Sequence, residues 1–180
     1  TLMGAMAPPK IWTKSEKQKQ ATIIQGSYLN VLLFGGSRSG KTYITVRNII
    51  IRALKCKSRH LILRLNFNHV KRSIVYDTLP KVWMDCFSHL GSMWSMLNKT
   101  DWFLTLPNGS EIWFGGLDNK ERVEKILGTE YSTLYFNESS QIDYEGGVVE
   151  ALTRLAEDNE LEKRAYYDCN PPSKKHWSYK

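Results

Sequence analysis

The sequence predicts an α/β domain, a mostly parallel central sheet covered by helices on both faces. Three observations carry that expectation. The run Gly35-Gly36-Ser37-Arg38-Ser39-Gly40-Lys41-Thr42 follows the apolar segment Val31-Leu32-Leu33-Phe34 directly and opens a helical pattern. Strand-like and helix-like segments alternate after it, the signature of parallel strands joined by crossover helices. The polar motifs fall at the carboxyl ends of the predicted strands, where such sheets bind ligands. The glycine-rich run matches G-x-x-x-x-G-K-[ST], so the specific expectation is a phosphate-loop (P-loop) nucleotide-binding fold.

The elements follow in order. Ser15 to Ile24 reads as a short polar helix opened by a Ser N-cap. Tyr28 to Phe34 is the first strand. Lys41 to Leu54 is a helix with Ile44, Ile49, Ile50 and Leu54 on its inner side. His60 to Leu65 is a strand, and Val70 to Leu79 a helix that Pro80 should end. The Trp- and Met-rich stretch Val82 to Leu97 fits no single period. Asp101 to Phe114 forms a hairpin around Pro107-Asn108-Gly109. Asn119 to Leu127 is helical, with Gly128 as its stop. Thr133 to Phe136 is a buried strand, Tyr144 to Ala156 a helix, and Arg164 to Cys169 the last strand, closed by Asn170-Pro171-Pro172.

The chain has 180 residues, 42% of them hydrophobic and 12% aromatic, which fits one folded domain with a substantial core. Residues 1–13 read as a tail, with Thr1 to Ala7 compatible with a cloning-vector remnant, and 14–180 as the domain. No apolar run approaches the roughly 20 residues that span a bilayer, and no signal-peptide core precedes the domain; a membrane is not an expected partner. Cys56, Cys86 and Cys169 are far apart and form no Cys-x-x-Cys pair, so reduced thiols are expected. Lys plus Arg number 25 against 18 Asp plus Glu, a surplus of +7 that favours polyanionic partners.

The chemistry of the loop is explicit. Gly35, Gly36 and Gly40 let the backbone curl until successive N–H groups converge on phosphate oxygens. The helix beginning at Lys41 adds the positive end of its dipole. Lys41 can reach the β- and γ-phosphates of ATP, and the Thr42 hydroxyl can hold Mg²⁺. The whole run Gly35, Gly36, Ser37, Arg38, Ser39, Gly40, Lys41 and Thr42 is therefore the expected nucleotide-binding site.

A second segment, Leu134-Tyr135-Phe136-Asn137-Glu138, is an apolar strand ending in two polar residues. Glu138 is the expected catalytic acid that polarises the attacking water. Asn137 occupies the place where an Asp usually anchors Mg²⁺ through water. It keeps a carbonyl acceptor and loses the charge. Asp118 and Asp168 are the alternative acids, ranked lower because neither precedes a Glu. Asn170, after the last strand, can report the presence of the γ-phosphate or simply open an Asn-Pro turn.

With these motifs in place, the chain resembles the ATPase domain of bacteriophage terminase large subunits, the DNA-packaging motors. The likeness rests on residues 35–42, on Gly-Thr-Glu-Tyr at 128–131, and on Tyr-Phe-Asn-Glu-Ser-Ser-Gln-Ile at 135–142. It also rests on Tyr-Tyr-Asp-Cys-Asn-Pro-Pro at 166–172, with His176-Trp177, and on Ala-Leu-Thr-Arg-Leu at 151–155. It runs from about Lys14 to the end. The resemblance implies that Lys41 and Thr42 are the Walker A pair, Glu138 the catalytic acid, and Asn170 part of a coupling motif. It further implies an adenine-recognising glutamine, Gln18 or Gln20, and an arginine finger. Arg38, Arg64, Arg72, Arg122 and Arg154 are the candidates, with Arg154 the catalytic expectation.

The implied function is ATP hydrolysis coupled to moving double-stranded DNA into a procapsid, with Mg²⁺ as cofactor. The implied partners are DNA, a portal protein and a small terminase subunit, around a homo-oligomeric ring that can be monomeric in isolation. The implied location is the cytoplasm of the infected bacterium, at the procapsid portal and not in the mature virion. Family members carry a C-terminal nuclease, and no cleavage is expected of this chain. Three other readings stand beside this one: a helicase-like nucleic-acid-dependent ATPase, a small-molecule kinase and a non-catalytic nucleotide-binding scaffold.

Overall fold

The structure is a computed structural model that describes residues 11–170. The expected tail (1–13) lies mostly outside that range, as do Pro171, Pro172, His176 and Trp177. Seven strands form one sheet: β1 (Asn30–Phe34), β2 (Arg59–Arg64), β3 (Leu97–Asn98), β4 (Phe103–Thr105), β5 (Glu111–Gly116), β6 (Thr133–Phe136) and β7 (Arg164–Cys169). Their spatial order is β1-β7-β6-β2-β5-β4-β3. The five strands β1, β7, β6, β2 and β5 are mutually parallel. The expected hairpin adds β4 antiparallel to β5, and β3 then pairs with β4.

Alternation along the strands explains why helices cover both faces. Leu61, Leu63, Leu134 and Phe136 face one way, packing with Ile126 and Leu127 of α6 (Lys120–Leu127) and with Val148 and Ala151. Ile62, Tyr135 and Tyr166 face the other way. They meet Val46, Ile49, Ile50 and Ala53 of α2 (Lys41–Lys55) and Val70, Ile74 and Val82 further on. Strands apolar on both faces are what a helix-covered parallel sheet requires. At the end of β5 a Cβ on Gly116 would come within 2.4 Å of the Phe67 backbone nitrogen, so only glycine allows that close approach.

The helix α1 (Glu16–Ser27) starts as expected, with Ser15 accepting from the Gln18 N–H and Gln18 reaching back to the Ser15 N–H. Pro80 does not end its helix. The chain stays helical through α3 (Phe67–Val70), a π-helical stretch (Lys71–Thr78) and α4 (Leu79–Cys86). The wider turn passes the Leu79 N–H to the Ile74 carbonyl. That widening lets the backbone absorb a residue with no donor of its own.

The Trp- and Met-rich stretch divides into the end of α4, a 3-10 turn (Ser88–Leu90), α5 (Met93–Met96) and β3. Its buried Val82, Trp83, Phe87, Met93 and Leu97 close one end of the core. Gly128 ends α6 with φ −71°, so the stop does not use a left-handed residue. The expected helix over 144–156 is shorter, a π-helical turn (Tyr144–Val149) followed by α7 (Glu150–Leu152). Among the described residues no helix is long and apolar enough to cross a membrane, and all three cysteines are free.

A polar knot is buried beneath the sheet at the entry of β2. His60 is fully buried between Ser58 (2.9 Å) and Thr133 (2.8 Å), and Arg52 Nε donates to the same Thr133 hydroxyl at 3.0 Å. Burial, helped by the Arg52 charge, pushes the imidazole pKa down to about 3. An unfolded histidine titrates near 6.5, so between those values the unfolded chain binds a proton that the folded chain refuses. Stability therefore falls as the pH drops below 6.5, by about 1.4 kcal/mol per pH unit from this group. Urea midpoints should show wild type losing about 2 kcal/mol more than His60→Gln between pH 6.5 and 5. Parallel pH profiles for the two proteins would rule the effect out.

Candidate functional site

The site is assembled at the carboxyl edge of three adjacent strands. β1 delivers the glycine-rich loop, β6 delivers Asn137 and Glu138, and β7 between them delivers Asp168, Cys169 and Asn170. The loop turns into α2 at Gly40, which takes φ +80° as the N-cap residue. That positive φ favours glycine at position 40. Arg38 adopts φ +62°, an uncommon conformation for a side-chain-bearing residue.

A cleft of about 320 Å³ runs along this edge, lined by residues 37–43 of the loop and by Glu138, Asp168 and Asn170, with Thr78 and Lys81 opposite. Lys41 Nζ lies inside the loop, donating to the Gly35 carbonyl at 2.7 Å, the Gly36 carbonyl at 3.1 Å and Ser39 Oγ at 3.2 Å. Its ammonium group thus sits where the loop's N–H groups would gather phosphate oxygens. Asn170 Nδ2 reaches across to Ser37 Oγ at 3.5 Å, linking the end of β7 to the loop.

Glu138 is the cleft's other carboxylate. It holds φ +53° and ψ +48°, a left-handed conformation that costs a non-glycine residue roughly 1–2 kcal/mol. Its N–H donates to Asp168 Oδ1 at 2.9 Å, which pins this strained corner. Strain of this kind gathers at functional sites, where surrounding structure holds it in place.

Asn137 is buried behind that corner, 2% exposed. Its Nδ2 lies 2.9 and 3.2 Å from the two Asp168 oxygens, 3.1 Å from Tyr135 Oη and 3.4 Å from Thr42 Oγ1. Thr42 Oγ1 in turn donates to Asp168 Oδ2 at 3.2 Å. Burial, with the Asp168 charge beside it, holds the Tyr135 hydroxyl well above the ordinary phenol range, so it stays protonated. Asp118, the other alternative acid, is instead bound to the Phe67 N–H at 3.1 Å.

Among the described residues no three His, Cys, Asp or Glu side chains converge as a self-sufficient metal site. The Thr42 hydroxyl and the Asp168 carboxylate do supply hard oxygen donors, which suits Mg²⁺ shared with nucleotide phosphates. The donor set therefore fits a nucleotide-bound cation.

Gln18, not Gln20, faces the loop. It lines a second cavity of about 180 Å³ on the loop's other side, together with Phe34, Gly35, Gly36 and Ile44. Gln20 is exposed. Arg154 does not join the site. It lies exposed beyond α7, and its carbonyl accepts from the Tyr131 N–H at 2.8 Å, beside the entry of β6. β6 has four residues, about 13 Å at roughly 3.3 Å per residue, and Glu138 lies past its far end. As a finger for its own cleft, Arg154 is excluded by that separation. Arg122 packs over the Phe67 ring at 3.8 Å, also away from the loop. Arg38 is the arginine that lines the cleft. Asp168, ranked in the sequence below the 137–138 pair, stands within hydrogen-bond reach of Thr42; its strand's place beside β1 carries no local sequence signal.

Comparison with known proteins gives a consistent picture. The family model described as "Phage terminase large subunit" matches residues 29–180. The PBSX phage terminase large subunit of Bacillus subtilis (strain 168) is 28% identical over 149 residues, covering 82% of this chain and 32% of that protein. The chain thus spans about a third of that relative's length. The large terminase of a thermophilic bacteriophage shares the fold, with a TM-score of 0.76 at 16% identity over 92% of this chain and 41% of that one. The same thermophilic-phage protein in complex with ATP-gamma-S gives a TM-score of 0.69, at 16% identity over 91% and 39%.

Proposed function

The chain belongs to the phage terminase large subunit family, and on that premise we propose that it is an ATP-hydrolysing motor domain that drives double-stranded DNA into a procapsid. The observation that carries this reading is the meeting of Lys41, Thr42, Glu138 and Asp168 in one cleft, from three neighbouring strands. The solved complex of the thermophilic phage's large terminase with ATP-gamma-S supports ATP as the nucleotide.

Each residue has a distinct task. The N–H groups of residues 35–42 cradle the phosphates, and Lys41 holds the β- and γ-phosphoryl oxygens. Glu138 orients the attacking water and accepts its proton as the bond to phosphorus forms. The γ-phosphoryl leaves ADP in the process, and Asn170, tied to Ser37, registers its departure at the loop. Gln18 faces the adenine side. Thr42 would hold Mg²⁺, which neutralises charge on the phosphates and is the cofactor of this reading. An arginine finger comes either from Arg38 or from a neighbouring subunit in a ring, where an exposed Arg154 remains available.

The basic surplus suits contacts to the DNA backbone, which are sequence-blind and salt-sensitive. A portal protein and a small terminase subunit complete the proposed assembly, in the cytoplasm of an infected bacterium. ATP turnover measured with Mg²⁺, with and without double-stranded DNA, tests the reading. Unrelated DNA sequences should stimulate turnover equally, and salt should erase the stimulation. Phosphate transferred to a small acceptor would point to a kinase instead, and turnover indifferent to any DNA would remove the motor assignment.

A further inference from the structure

A carboxylate reaches this cleft from an unexpected strand. Asp168 sits at the end of β7, the strand lying directly between the loop strand β1 and β6. It is 1% exposed overall, yet it borders the cleft that Thr42 and Lys41 line. Its Oδ2 is the carboxylate oxygen within hydrogen-bond reach of Thr42 Oγ1, at 3.2 Å. In nucleotide-hydrolysing P-loop sites the Mg²⁺ is held by that Ser/Thr hydroxyl together with an aspartate. The aspartate beside this threonine belongs to β7.

Asn137 cannot fill the same place. Its carboxamide nitrogen is turned toward the carboxylate, 2.9 Å from Asp168 Oδ1. Exchanging the amide's nitrogen and oxygen would set an oxygen against an anionic oxygen at that distance, an arrangement electrostatics forbids. The side chain therefore donates toward Asp168, and Asn137 is not among the residues that line the cleft. It acts as a clamp: Nδ2 contacts both Asp168 oxygens, at 2.9 and 3.2 Å, the Glu138 N–H holds Oδ1, and Oδ2 lies beside Thr42.

We propose that Asp168, and not Asn137 just past β6, carries the negative charge that holds the magnesium ion of the bound nucleotide, with Asn137 positioning that carboxylate. This inference rests on the ATP-binding reading above. It also explains how the site keeps its charge although an amide follows β6: the acid stands one strand closer to the loop. Removing it should remove the advantage that Mg²⁺ gives to nucleotide binding, while the loop and Lys41 keep their own grip.

The test is binding, not turnover. Affinity for a non-hydrolysable ATP analogue is measured by calorimetry with Mg²⁺ and again with EDTA, for wild type, Asp168→Asn and the exchanged pair Asn137→Asp/Asp168→Asn. The gain due to Mg²⁺, taken as the ratio of the two affinities within each protein, should shrink at least about tenfold in Asp168→Asn and return in the exchanged pair. An undiminished gain in Asp168→Asn overturns the assignment and leaves the ATP reading intact. A wild-type chain that binds no nucleotide under either condition overturns both.

Because Asp168 is buried, a second measurement uses wild type alone. Mn²⁺ replaces Mg²⁺ with the same analogue, in protein labelled with ¹³C-aspartate, and pulsed electron paramagnetic resonance reads the carbon coupling. Asp168 is the one aspartate bordering the cleft among the described residues, so a ¹³C coupling identifies it. No coupling overturns the proposal.

Discussion

Lys41→Ala abolishes ATP turnover and weakens nucleotide binding by roughly tenfold to a hundredfold. The size follows from the contact removed: hydrogen bonds from a charged donor are each worth about 1.5–3 kcal/mol, and 1.4 kcal/mol is a factor of ten. The ammonium group has no substitute in the loop, whose other contributions are neutral N–H dipoles apart from Arg38. Lys41 also ties Gly35, Gly36 and Ser39 together, so loop disorder is a competing cause of lost binding. Lys41→Arg separates the two, since it keeps the charge but not the compact point geometry. Calorimetry with ADP and the analogue checks the result. Parental affinity in Lys41→Ala would mean that phosphate is gripped elsewhere, and the P-loop reading would fail.

Glu138→Gln keeps nucleotide affinity and slows hydrolysis by about 10²–10⁴-fold, the usual contribution of a positioned proton acceptor. The substitution is chosen for its geometry. Gln has the same shape, tolerates the same backbone, and preserves the N–H bond to Asp168 that pins the left-handed corner. Single-turnover measurements with saturating protein isolate the chemical step from subunit exchange or product release. A parental single-turnover rate would remove Glu138 from the reaction. Loss of binding together with rate would show that the carboxylate shapes the cleft instead of serving the chemistry.

Much of this architecture was legible in one sequence because it is written in short-range terms. The glycine pattern at 35–42 has one good physical use after an apolar strand and before a helix. The runs Leu61-Ile62-Leu63 and Leu134-Tyr135-Phe136 are apolar on both sides of the pleat, which announces a sheet buried between helices. Ser15 and Gln18 spell a capping box, and Pro107-Asn108-Gly109 a hairpin turn. The misreadings have equally physical sources. Pro80 looked like a stop because the missing donor was assumed to break an ordinary α-helical ladder, whereas a wider π turn absorbs it. Arg154 was expected on a long helix after Glu138, and α7 ends at Leu152.

The chain's own order of residues determined the phosphate loop, the exit of β6 and the two-sided apolar strands, since each depends on neighbours a few positions apart. Which acid stands beside Thr42 was decided only by the fold. Asp168 lies 126 positions from that threonine, and the two meet because β7 inserts between β1 and β6, a pairing no local pattern specifies. Parallel strand order is fixed by the packing of crossover helices over the whole sheet, so the placement of charge at its edge is a tertiary property.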